Sequence, residues 1–327
     1  MATATQIKAL LASHGAGDDE RFRAVALQVA AAEARKGHQK LADELRDLVN
    51  DARRRAETRT TSQKVHSLST PQGEAGELLE PADTHLHLED LVLENSLRDR
   101  INRIVREQKN LSRLKENNLT PRQKLLFTGP PGCGKTITAA ALANELRLPL
   151  FVVRLDSLIS RYLGESLSKL RLIFEAAERH RAVYLFDEFD SIGYTRDASG
   201  DVGEMRRVLN SFLVFIEKLR SNSLVIAATN YGQRLDNALF RRFDDLVEFG
   251  LPAPAQAKET IIRLLRNVDK DALDWKKIDP AVKGLSYAEI TRACEETIKE
   301  MLILDLPKVT NKALVGALTE RRLHLNH

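Results

Sequence analysis

The chain has 327 residues, 43% hydrophobic and 29% charged, with a formal net charge of +4. It is long enough for two or three domains with real cores, and its charge is too mild and too mixed to point to nucleic acid or a membrane surface. Two cysteines, Cys133 and Cys294, exclude a disulfide framework and suit a reducing interior. No run approaches the ~18 apolar residues of a membrane span, so a soluble cytoplasmic protein is expected.

Residues 1–58 read as helices. Phe22, Val25, Ala26 and Val29 recur at three and four, as do Leu41, Leu45, Leu48, Val49 and Ala52. Each pattern gives one apolar stripe and one charged face. Breaks at Gly15, Gly17 and Gly37 divide the segment into a small three-helix bundle. So small a separate bundle suits docking better than stability. Residues 59–85, "RTTSQKVHSLSTPQGEAGELLEPADTH" within them, lose all periodicity and predict a mobile linker.

From 86 to 252 short apolar runs alternate with helical patterns. The runs are Lys124 to Thr128, Leu150 to Val153, Ala182 to Asp187, Ser223 to Thr229 and Asp245 to Phe249. Continuous apolar runs suit strands buried on both faces, hence an α/β fold with a parallel sheet between helix layers. From 253 to 327 the strand signals stop and helices return. Ser286 to Glu289 forms a capping box, and Leu285 and Ile290 sit where a hydrophobic staple would, so a helix should begin at Tyr287.

Between the first strand and its helix stands Gly129-Pro130-Pro131-Gly132-Cys133-Gly134-Lys135-Thr136, a match to G-x-x-x-x-G-K-[ST]. Glycines let the backbone turn its N–H groups inward around a phosphate, and the helix N-terminus adds partial positive charge. Lys135 would reach the terminal phosphates and Thr136 would ligate Mg²⁺. Cys133, at a helix N-terminus, is expected to have a depressed pKa and a reactive thiol.

"VYLFDEFDSI" places Asp187 and Glu188 at the end of a buried strand. The first carboxylate is placed to hold Mg²⁺, and the second to orient and deprotonate a water. The run Leu224 to Ala228 ends in Thr229-Asn230, where an Asn can hydrogen-bond that water or the γ-phosphate. Arg241 and Arg242 follow a short helix; alone, they could be surface charge.

Taken together, GPPGCGKT (129–136), FDEFD (186–190), ATN (228–230) and LDNALFRRFD (235–244) resemble an AAA ATPase of the protein-remodelling and unfolding clade. The resemblance spans about residues 86–325. It implies a P-loop NTPase core with a five-stranded sheet in 5-1-4-3-2 order, a helical lid, ATP and Mg²⁺ as cofactors, and ring assembly, usually hexameric. It assigns Lys135 and Thr136 to phosphate and Mg²⁺, Asp187 to Mg²⁺, Glu188 as base, Asn230 as sensor 1, and Arg241 and Arg242 as fingers acting on a neighbour's nucleotide. The lid run Gly284-Leu285-Ser286-Tyr287-Ala288-Glu289-Ile290 departs from the family pattern. Tyr287 replaces a glycine, no lid residue is given a catalytic role, and Ala288 is expected to pack on the adenine.

Tyr162-Leu163-Gly164 is similar to the aromatic–hydrophobic–glycine pore loop of threading motors, and residues 197–204 could form a second pore loop. An aromatic can grip polypeptide by bulk and stacking, whatever its sequence. The expected activity is ATP-driven remodelling, unfolding or disassembly of protein substrates recruited by the N-terminal bundle. Two alternatives stand: a nucleotide switch gating a partner such as a protease or effector, and a nucleic-acid loader. The aromatic pore element argues against the loader. No H-E-x-x-H occurs, so any protease must be a separate partner.

Overall fold

The computed structural model describes residues 26, 71, 73–158, 163–190, 202–230 and 237–324. The N-terminal bundle expected over 1–58 thus falls, apart from Ala26, outside the described residues. Residues 69–327 form one compact unit.

A six-stranded sheet forms the centre of that unit. Its strands are β1 (Leu79–Ala82), β2 (Lys124–Thr128), β3 (Leu150–Val153), β4 (Val183–Phe186), β5 (Leu224–Thr229) and β6 (Asp245–Glu248). They lie in the order β1-β3-β4-β5-β2-β6. The last five are mutually parallel, and β2 is flanked by β5 and β6. Alternation of side chains across a strand sends residues to two cores. Leu126, Tyr184 and Phe186 join one, and Leu125, Phe127, Val183 and Leu185 join the other.

Helices cover both faces. α1 (Asn95–Lys109), with Ile101 and Ile104 fully buried, packs with α2 (Lys135–Leu146) on the Leu125 face. α3 (Leu163–Arg179) and α4 (Val202–Lys218) cover the other. There Phe174, Phe186 and Phe212 meet with ring centroids 5.0 to 5.9 Å apart. Four further helices, α5 (Pro254–Leu264), α6 (Trp275–Val282), α7 (Tyr287–Ile303) and α8 (Asn311–His324), enclose a third core around Ile261, Ile278, Ile290 and Leu318. The Ser286 hydroxyl accepts from the Glu289 N–H at 3.3 Å, so α7 begins at Tyr287.

Two expectations need correction. Residues 73–85 are not a mobile linker: a helical turn at Glu74–Glu77 leads into β1, which pairs antiparallel with β3. The sheet accordingly has six strands and is mixed, not five and parallel. The reason is local. The outer edge of β3 would otherwise present unpaired backbone groups. Leu78 and Leu79, both buried, anchor the covering strand, and the Arg154 N–H donates to the Leu78 carbonyl at 3.0 Å. Pro81 is tolerated because β1 is itself an edge.

Candidate functional site

The loop from 129 to 134 leaves the C-terminal end of β2 and enters α2. Gly129 has φ +141°, and a Cβ there would lie 2.0 Å from the Phe249 carbonyl oxygen. Gly132 has φ +72°, and a Cβ there would meet Ser286 Oγ at 2.6 Å. Both positions therefore require glycine, one for the sheet and one for the lid.

Lys135 is buried at the first position of α2. Its ammonium donates to the carbonyls of Gly129 at 2.7 Å and Pro130 at 2.9 Å, and to Asn230 Oδ1 at 2.8 Å. Burial lowers its pKa, opposed by Cys133, Asp187 and Asp190. The cation faces neutral oxygens within hydrogen-bond reach, so its charge is not spent on a carboxylate. Next to it, the Thr136 hydroxyl donates to Asp187 Oδ2 at 2.6 Å. Four expected residues from three separate segments, Lys135, Thr136, Asp187 and Asn230, thus converge at the C-terminal ends of β2, β4 and β5.

This arrangement fits a nucleotide with Mg²⁺. Among the described residues no group of three or more His, Cys, Asp or Glu could cage a metal. A single carboxylate with a hydroxyl suits Mg²⁺, which keeps waters and takes phosphate oxygens as ligands. Thr136 and Asp187 would hold the ion, which when bound neutralises phosphate charge. Lys135 and the backbone N–H groups of the loop would bind the phosphates.

Glu188 is exposed with φ +49°, an uncommon conformation for a non-glycine residue, and its N–H donates to Asp187 Oδ1 at 2.9 Å. The next residues fix that turn. Phe189 is fully buried and its N–H donates to the Ala228 carbonyl at 2.8 Å, while Asp190 Oδ1 accepts from the Asn230 N–H at 3.2 Å. Sequence reasoning assigned Asp190 no role. Its signal was its place in FDEFD, four residues past the end of β4.

The lid closes on the loop directly, with the Ala288 N–H donating to the Gly132 carbonyl at 3.1 Å. Tyr287, between these two contacts, is half-buried; burial first, then Cys133, Glu94 and Glu259, pushes its phenol up to about 12. The thiol expectation for Cys133 is corrected. It is 2% exposed, and burial raises its pKa, with Lys135 opposing. Desolvation of a thiolate outweighs the helix terminus here.

Arg241 and Arg242 are not brought to this site. They precede Asp244, whose carboxylate accepts from the Gln123 and Lys124 N–H groups at 2.8 and 2.9 Å. That is the N-terminal end of β2, and the phosphate loop leaves the C-terminal end. Tyr162 lies outside the described residues. Leu163 opens α3, and Gly164 is exposed with open space around it.

A mainly parallel sheet with a lysine-threonine phosphate loop and an acidic strand end beside it defines a P-loop nucleotide hydrolase. The family model for the ATPase family associated with various cellular activities (AAA) matches residues 125–251. The chain is 39% identical over 303 residues, 93% of its length and 90% of the relative's, to the uncharacterized AAA family ATPase y4kL of Sinorhizobium fredii. It is 31% identical over 206 residues, 62% of its length and 55% of the relative's, to a putative 26S proteasome regulatory subunit homolog of Methanothermobacter marburgensis. The chain belongs to the AAA family and is an ATPase. No helix among the described residues is long and apolar enough to cross a membrane.

Proposed function

We propose that this ATPase works as a Mg²⁺-dependent ring, a hexamer by family resemblance, that remodels or unfolds protein substrates in the cytoplasm. Substrate is threaded past Tyr162, Leu163 and Gly164, and the bundle over 1–58 recruits it. Lys135 and Thr136 bind MgATP with Asp187, Glu188 activates water, and Asn230 orients it. Arg241 and Arg242 act on the nucleotide of a neighbour.

The observation that carries the catalytic part is the convergence of Lys135, Asn230, Thr136 and Asp187 within hydrogen-bond distance. The similarity to a protein named as a proteasome regulatory subunit homolog supports a protein substrate. The placement of Arg241 and Arg242 at the opposite end of β2 supports catalysis between subunits, because they lie away from their own chain's phosphate loop.

Tyr162→Ala and Tyr162→Phe test the threading step against the wild type. Tyr162→Ala should bind ATP and assemble normally but lose mechanical work on a partner protein, while Tyr162→Phe keeps most of it. A core tyrosine would instead cost roughly 3 kcal/mol or more of stability when truncated, and every activity would fall together. A stable Tyr162→Ala protein that remodels at the normal rate would refute threading and favour the switch that gates a partner.

A further inference from the structure

The turn over 86–91, just before α1, has most of its carbonyls taken by side chains. The Asn144 amide donates to the Leu86 carbonyl at 3.0 Å, and Arg98 donates to those of Leu88 at 3.4 Å and Leu91 at 2.8 Å. Buried Leu88 and Leu91 fix the turn to the core shared with α1 and α2. The two carbonyls between them go to a donor in the lid. Arg263 of α5 donates through Nη1 to the Glu89 carbonyl at 2.8 Å and the Asp90 carbonyl at 3.1 Å. Its Nη2 donates to Glu259 Oε1 at 2.5 Å, one turn earlier on the same helix. The guanidinium is thus aimed from its own helix and closes onto the sheet subdomain.

The lid helices are joined to the sheet by one covalent connection, residues 249–253 between β6 and α5. Arg263 stands nine residues beyond the start of α5, about 14 Å along the helix axis, so it restrains the lid well away from that hinge. The lid is also fastened to the phosphate loop, through the Ala288 N–H and the Gly132 carbonyl. Half-buried Tyr287 lies between the two links. Its phenol is within electrostatic reach of Cys133 in the loop, Glu94 before α1 and Glu259 beside Arg263, so three elements close around one ring. An exposed ion pair such as Arg263–Glu259 adds little by itself. The restraint comes from two carbonyls accepting from one charged donor, and Glu259 keeps that donor aimed. We infer that Arg263 is a positioning residue that latches the lid over the nucleotide site and sets the rate at which nucleotide enters and leaves. It acts through the lid, and release under such a lid can limit turnover. The inference rests on the nucleotide site at Lys135 and is independent of threading and of catalysis between subunits.

The test uses the full chain and ADP carrying a fluorophore on its ribose. Association and release are followed by stopped flow, beside melting temperature, on the wild type, R263A, R263K, E259A and E259A/R263A. R263A should release the nucleotide about tenfold faster, equivalent to about 1.4 kcal/mol of lost latch. It should also bind faster, so Kd moves much less than either rate. E259A should accelerate exchange less than R263A, and E259A/R263A should match R263A, because Glu259 acts through Arg263. R263K keeps the charge without the planar fork and should recover part of the restraint. Hydrolysis of ATP already bound, measured in a single turnover, should keep its wild-type rate constant in R263A.

A general structural role would lower the melting temperature and slow hydrolysis together, without faster exchange. R263A that melts like the wild type and releases ADP at the wild-type rate would overturn the latch. Faster release without faster association would overturn it too, since Arg263 would then belong to the nucleotide contacts. Should R263A fail to fold, E259A decides: faster exchange supports the latch and unchanged exchange overturns it. A wild-type protein that binds no ADP at all would remove the nucleotide site itself, and the latch with it.

Discussion

Gly132→Ala tests how the lid meets the phosphate loop. The added Cβ would lie 2.6 Å from Ser286 Oγ and 2.9 Å from Ala288 Cβ, at a backbone φ of +72°. The left-handed conformation costs an L-residue about 1–2 kcal/mol. The overlap costs about 1–3 kcal/mol if the lid stays in place. If the lid retreats instead, the bond from the Ala288 N–H to the Gly132 carbonyl is lost, about 0.5–1.5 kcal/mol. Ser286 has little room to yield, because its hydroxyl caps α7 by accepting from the Glu289 N–H. The total is about 2–5 kcal/mol, and at about 2–4 °C per kcal/mol for a unit of this size the melting temperature should fall by at least 4 °C or so. ATP affinity should fall too, since the loop that binds phosphate is the strained element. Gly316→Ala is the control: it sits exposed in α8 with nothing within 4 Å of the new carbon, and should be neutral or stabilising by up to about 1 kcal/mol. Thermal melting and nucleotide titration of the three proteins decide the matter. A Gly132→Ala protein that melts and binds ATP like the wild type would refute the contact.

Glu188→Gln should retain ATP binding through Lys135, Thr136 and Asp187 but lose about 10²- to 10⁴-fold in turnover, as expected for a general base; wild-type hydrolysis would remove Glu188 from that role. Cys133 should resist a maleimide at neutral pH because it is buried and its thiol is held protonated, and rapid inactivation that disappears in Cys133→Ala would contradict this. Burial first, then Glu295, raises the Cys294 thiol from 9.0 to about 12, so the folded state keeps a proton that the unfolded chain releases. That contribution is fully present below pH 9, is lost as pH rises through about 12, and should leave a flatter alkaline slope in denaturant titrations of Cys294→Ala. Turnover per subunit should rise with protein concentration if the arginines act between subunits, and a constant specific activity down to concentrations where only monomer sediments would oppose it.

Four of the five parallel strands were legible because each is a mainly apolar run, whereas β6 (Asp245–Glu248) has only two apolar residues between two acids. Leu224 to Thr229 is buried along its whole length, and the expected bounds lie within about one residue of those observed. The phosphate loop and the acidic strand end were legible because their chemistry fixes residue type and spacing together. β1 was not legible, since four residues, Leu79 to Ala82, sit in a stretch dominated by Ser, Thr, Gly, Pro and Glu. Its pairing is set by the open edge of β3, about seventy positions further along the chain. The Cys133 error has a similar origin. A helix N-terminus is local and visible in sequence, but burial under the rest of the fold is not. Asp190 was passed over because its partner, the Asn230 N–H, comes from another strand.

The polarity of β2 ties these features into one argument. Its C-terminal end carries the phosphate loop, and its N-terminal end is capped by Asp244, two residues past Arg242. Five residues at about 3.3 Å each separate the ends. The strand is central and buried, held between β5 and β6 by parallel ladders, so bending it to bring the two ends together would break the core. The arginines therefore lie at the far end of a strand paired on both sides from their own chain's phosphate loop. A surface cation held that way gains a catalytic use only when a second copy presents its own phosphate loop. The same geometry makes β2 a mechanical link. In the proposed ring, phosphates bound at one end of the strand and a neighbour's phosphates met at the other would be joined by this single short strand.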